Sequence, residues 1–177
     1  KNLMDIPVEF LISTEKICAA GNRNRGALAS HSSWVAFADA DDPFHPRRLE
    51  IIMHTCAAFN PKMVLHGLAP VRFFSHELPK KARVYSGDAI WKLVHDDKVP
   101  NLQGLHKYVE YKVHHGCPTV QRSVLQNVLQ DDRFPYECDS IFVRAVLNFY
   151  EDKKNAAVYV DLPLVSYTPS DTGLNFN

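Results

Sequence analysis

The chain has 177 residues, enough for one domain with a substantial hydrophobic core, and its composition is that of a soluble globular protein. Lys+Arg and Asp+Glu are equal at 20 each, so no net field draws it to nucleic acid or to an anionic membrane, and no apolar run approaches the length of a membrane span. The four cysteines, Cys18, Cys56, Cys117 and Cys138, have no C-x-x-C spacing; they read as reduced, mostly buried thiols of a cytoplasmic protein rather than as a zinc site or a disulfide frame.

Lys1 to Ile6 reads as the last turn of a helix. A domain seldom starts in mid-helix, so the expectation is a single domain over 1–177 that lacks its first strand and part of its first helix. Pro7 to Ser13, short, apolar and introduced by Pro, reads as a strand. Ala19 to Ala29 is small and polar, a loop running into a short helix, and Trp34 to Ala38 is the next strand. Pro46 suits the first position of a helix whose buried face would carry Leu49, Ile52, Met53, Cys56 and Phe59, and Asn60-Pro61 should end it. Met63 to Leu68 and Val71 to Ser75 read as strands, and Ser86 to Val94 as a helix. Lys112 to Gln121 reads as extended, Ser123 to Leu129 and Asp139 to Tyr150 as helices, and Ala157 to Val160 as a last strand before an irregular tail from Pro163. Strands alternating with helices predict an α/β fold whose sheet is covered on both faces.

Four clusters could carry chemistry. Val35-Ala36-Phe37-Ala38 runs straight into Asp39-Ala40-Asp41-Asp42. A buried strand that releases carboxylates at its C-terminal end delivers them to the crevice where open α/β sheets bind ligands. Hard oxygens there suit Mg²⁺ or Mn²⁺, and through the ion a diphosphate. Asp42 could instead cap the next helix, but capping explains Asp39 and Asp41 poorly. Upstream, Gly21-Asn22-Arg23-Asn24-Arg25-Gly26 offers guanidinium and amide donors for phosphate and ribose. Downstream, Glu137-Cys138-Asp139 opens an amphipathic helix, where a carboxylate is favoured by the helix dipole and could act as a general base. His114 and His115 adjoin on an extended segment and point to opposite faces, so at most one faces the site, on a metal or a phosphate.

Asn22-Arg23-Asn24-Arg25-Gly26, then Ala29, then Trp34 to Asp42, resembles the Arg-Asn to Asp-x-Asp stretch of family 2-like, GT-A-fold nucleotide-sugar glycosyltransferases. Pro46 to Glu50, Glu137-x-Asp139 with Arg144, and Asp161 to Tyr167 extend the similarity over most of the chain. The resemblance implies a Rossmann-like three-layer α/β/α domain with a central, mostly parallel mixed sheet. It places Arg23, Asn24, Asp39, Ala40 and Asp41 along the nucleotide sugar, with Asp41 on Mn²⁺ or Mg²⁺ and Asp39 on the ribose or, through water, on the ion; apart from the resemblance, His115 is the candidate to complete the metal shell. Asp139 would be the base that deprotonates an acceptor hydroxyl in an inverting transfer, with Glu137 as the other candidate because Cys138 separates the two acids. The implied donor is a UDP-linked sugar and the implied acceptor a glycan or glycoconjugate.

Two other readings compete. A haloacid-dehalogenase-type phosphatase also carries Asp-x-Asp after an apolar strand, but near the chain start and without the Pro43 found here. A catalytically inactive carbohydrate-binding scaffold is the non-enzymatic alternative.

Overall fold

The computed structural model describes residues 7–70, 74–90, 117–133 and 138–167. Its centre is a pair of parallel strands, β2 (Met63–Pro70) and β5 (Ala157–Tyr167), in register from Met63 opposite Ala157 to Pro70 opposite Tyr167. The short strands β1 (Trp34–Ala36), β3 (Val84–Ser86) and β4 (Thr119–Gln121) complete an open five-stranded sheet of order β1-β4-β2-β5-β3. β4 is antiparallel to both β1 and β2, and β3 is antiparallel to β5. β1, β2 and β5 therefore run the same way. The expected α/β class and a mixed, partly parallel sheet hold; among the described residues one pairing of four is parallel.

Side chains alternate across the sheet as the pleat demands. Met63, Leu65, Val120, Ala157 and Tyr159 face one side, under α1 (Ala19–Ala29), the one-turn α3 (Arg122–Leu125) and α4 (Cys138–Phe149). Val64, Val160, Leu162 and Leu164 face the other, under Ile52 and Cys56 of α2 (Arg48–Phe59). Helices thus cover both faces. Each fully buried Leu, Ile or Phe is worth about 1.5–3 kcal/mol, so the two clusters supply most of the driving force. The short α5 (Lys153–Ala156) leads directly into β5. No helix among the described residues is long and apolar enough to cross a membrane.

Several elements depart from expectation. Pro7 to Ser13 forms no regular structure and pairs with no strand among the described residues, and Val8, Phe10 and Ile12 are exposed. An apolar run becomes a strand only where a ladder partner takes up its backbone groups. Ala19 to Ala29 is helical throughout, because the Cys18 sulfur caps it by accepting from the Gly21 N–H. α2 ends as expected at Asn60, in the left-handed conformation (φ 44°) that Asn tolerates. Its buried stripe, however, is Arg48, Ile52, Thr55 and Cys56, while Leu49, Met53 and Phe59 are half exposed. β3 was not foreseen; of the expected Ser86 to Val94 helix, Ser86 ends β3, residues 87–90 are helical and residues 91–94 lie outside the described residues. Of the expected Val71 to Ser75 strand, residues 71–73 lie outside the described residues and Phe74 and Ser75 are not strand.

β5 runs seven residues past Val160, through Pro163, to Tyr167. A proline is tolerated there because the register shifts at Gly67, opposite Pro163. A Cβ on Gly67 would lie 3.0 Å from the Leu162 carbonyl oxygen, so glycine lets the bulged strand come close.

Candidate active site

The site grows from the C-terminal end of β1. Beyond Ala36 the chain keeps one more ladder bond, Phe37 N–H to the Pro118 carbonyl (3.3 Å), and Phe37 turns into the core. After Ala38, Asp39 to Asp42 form a tight turn, closed by the Asp42 N–H on the Asp39 carbonyl (3.4 Å). This turn presents Asp39 half-buried and Asp41 exposed, and buries Asp42. Asp42 is no cap: α2 begins six residues later, with Arg47 at its N-cap position and no side-chain capping bond.

Two helices converge on this turn. In α1, Arg23 falls three residues after Ala20 and four before Ala27, both buried, so it shares their sheet-facing side. Its Nη2 donates to Asp39 Oδ1 at 2.5 Å. Its other terminal nitrogen, Nη1, is buried with no hydrogen-bond partner, a cost that a ligand oxygen would relieve. In α4, Asp139 heads the stripe that continues through Phe142, Val143, Val146 and Leu147, all fully buried. Phe142 meets Phe37 edge to face at 5.9 Å, which brings the start of α4 to the strand end that carries the acids. Asp139 is buried, and its Oδ1 accepts from the Ser140 N–H at 2.7 Å.

Asn24 has a different task from the one its motif suggests. Its Nδ2 donates to the Gln130 carbonyl (2.8 Å), and its Oδ1 accepts the Gln130 N–H (3.0 Å). Both ends of the amide brace the segment after α3 instead of facing the acidic turn. Ala40 sits exposed at the tip of that turn, where only its backbone could meet a ligand. Glu137, His114 and His115 lie outside the described residues.

A second tier of polar groups was not foreseen. Arg48, Nε donating to His66 Nε2 (3.0 Å) and Nη2 to the Phe37 carbonyl (2.9 Å), is buried with its guanidinium over the Phe44 ring. Burial pulls its pKa below the usual arginine value, with Cys117 acting in the opposite sense. Arginine has no acceptor, so His66 Nε2 carries the lone pair and Nδ1 the proton, which bonds to the Gly67 carbonyl (2.9 Å). His45 is buried as well; its Nδ1 accepts the Arg47 N–H, and its Nε2 donates to the His76 carbonyl. β5 adds main-chain ties from Ser166 N–H to the Pro43 carbonyl (2.8 Å) and from His45 N–H to the Leu164 carbonyl (3.0 Å). The signal for Arg48 was present: spacing 48, 52, 55, 56 marks a helix face as well as spacing 49, 53, 56 does.

Among the described residues, no group of three or more His, Cys, Asp or Glu side chains forms a metal cluster. The pair Asp39 and Asp41 nevertheless fits a Mg²⁺-type ion, which is commonly held by one or two carboxylates with water and substrate phosphate completing the shell. No protein-family model matches this chain and no curated protein matches it.

Proposed function

We propose that the protein is a metal-dependent, GT-A-type glycosyltransferase that moves a sugar from a UDP-linked donor to a carbohydrate hydroxyl with inversion. The observation that carries this reading is the Arg23–Asp39 pair. It joins the Arg-Asn helix to the acidic strand end, the two motifs that resemble the family, and leaves Asp41 exposed beside them. A guanidinium nitrogen without a partner next to two carboxylates suits a ligand that is anionic and metal-bridged, as a nucleoside diphosphate is.

When bound, Mn²⁺ or Mg²⁺ supplies charge neutralisation to the departing diphosphate. Asp41 would hold the ion, and Asp39, already fixed by Arg23, would meet the ribose or a water of the ion's shell. Arg23 Nη1 would donate to a donor oxygen. Asp139 would take the proton of the acceptor hydroxyl as its oxygen attacks the anomeric carbon from the side opposite UDP. Asn24 serves as a brace for the Gln130 segment. The phosphatase reading needs Asp39 as a free nucleophile, and its ion pair with Arg23 counts against that role.

Calorimetry with UDP and GDP, in Mn²⁺ and in EDTA, tests the metal step: affinity should depend on Mn²⁺, and equal affinity in EDTA would sink it. Asp139→Asn should lower turnover by roughly 10²–10⁴-fold, the usual worth of a general base, with donor affinity little changed. A larger loss in Glu137→Gln would transfer the role to Glu137, and a product that retains the donor's anomeric configuration would overturn inversion.

A further inference from the structure

We infer that Arg48 is the positioning residue of the acidic turn: one buried guanidinium clamps both ends of the 37–44 segment and sets where Asp39 and Asp41 stand. The inference deepens the glycosyltransferase reading and, for its effect on donor binding, rests on it. At the strand end, Arg48 Nη2 holds the Phe37 carbonyl, two residues before Asp39. At the far end, the same guanidinium lies 4.5 Å from the centroid of the Phe44 ring. Its Nε is fixed by His66 of β2, in the middle of the sheet. Asp39, Ala40, Asp41 and Asp42 therefore span a loop whose two ends both meet one side chain, with the Ser166 N–H on the Pro43 carbonyl holding the far end as well.

The choice of arginine has a physical logic. Burying a cation costs several kcal/mol, so it is a costly way to fill space unless its hydrogen bonds have a task. Packing alone would be served by Met or Leu in the stripe with Ile52 and Cys56. A planar fork, by contrast, can bond a ring nitrogen and a carbonyl at fixed angles while stacking on an aromatic face, which lysine cannot do.

The test compares wild type with Arg48→Met and Arg48→Lys by three measurements: thermal stability, amide exchange, and UDP affinity in Mn²⁺. Both variants take donors from His66 Nε2 and the Phe37 carbonyl, so a modest fall in melting temperature is expected in each, with unfolding still cooperative. The Asp42 and His45 amides, bonded to the Asp39 and Leu164 carbonyls, should exchange at least about tenfold faster, while the far β3–β5 ladder stays unchanged. UDP affinity in Mn²⁺ should fall roughly 10–100-fold, as when a group that orients metal ligands is lost. Wild-type exchange and affinity in Arg48→Lys would overturn the inference, as would faster exchange throughout the chain, which is what plain core damage would give. If wild type itself shows no Mn²⁺-dependent UDP binding, the glycosyltransferase reading fails, and the exchange of Asp42 and His45 still decides what Arg48 does.

Discussion

Residues 37–48 and residues 7–18 are alike in outline: each begins apolar, passes through acidic residues and leads into a helix. The first stretch is tied to the sheet by Phe37 N–H on Pro118, Ser166 N–H on Pro43, His45 N–H on Leu164 and the Arg48 fork on Phe37. The second is tied to α1 by Arg25 Nη2 on the Ile12 carbonyl (3.2 Å) and Asn22 Nδ2 on the Ile17 carbonyl (3.2 Å), both solvent-exposed bonds. A cleft of about 590 Å³, lined by Leu11, Ser13, Lys16 and Arg25 among others, lies between that stretch and the helix. What separates the two is bonding, not composition. Carboxylates on the first are aimed; those on the second, Glu9 and Glu15, are merely displayed. A site that must hold charges at fixed positions can be built only on the first kind of segment.

Phe142→Ala should break the well-tied region most severely. Phe142 is fully buried and meets Phe37 edge on, so truncation removes the contact that joins α4 to the acidic strand end. A loss of about 3–5 kcal/mol is expected in urea unfolding, the usual cost for a buried Phe. A loss under about 1 kcal/mol would show that this corner is not packed as described.

Asn24→Ala comes next, at about 1–3 kcal/mol, because it leaves the N–H and carbonyl of Gln130 without their partner. Folded variant should keep its affinity for UDP in Mn²⁺. The reverse pattern, unchanged stability with weakened UDP binding, would return Asn24 to the nucleotide and remove it from the scaffold.

Much of this architecture was legible in the sequence, and the failures have a common cause. Short apolar runs ending in Asp, the Asn60-Pro61 stop and the Phe142, Val143, Val146 stripe are local signals, and they led to β1, to the end of α2 and to α4. Pro7 to Ser13 carried the same strand signal as Trp34 to Ala38, yet ladder partners are decided by distant parts of the chain. β5 continues through Pro163 for that reason too: β2 and its Gly67 absorb the irregularity. α2 was turned by about one residue, since a charged Arg48 was left out of the apolar count although its stem and guanidinium are buried. The candidate acids were visible as chemistry. What positions them, Arg48 with His66 and the β5 end, is tertiary and was not.

Phe10→Ala carries the smallest expected effect and tests the contrast most directly, since it repeats the Phe142 substitution in the other region. Phe10 is 84% exposed, where Phe142 is fully buried. A ring that already sits in water returns almost no transfer free energy when truncated, and it leaves no cavity behind. Stability should therefore stay within about ±0.5 kcal/mol of wild type, the range of ordinary surface substitutions. The unfolding slope in urea should also be unchanged, because no additional surface is exposed. A loss of 2 kcal/mol or more would mean that Phe10 is buried in solution and that residues 7–18 have an apolar partner. The contrast between the two stretches would then lie in what covers them, not in how they are bonded.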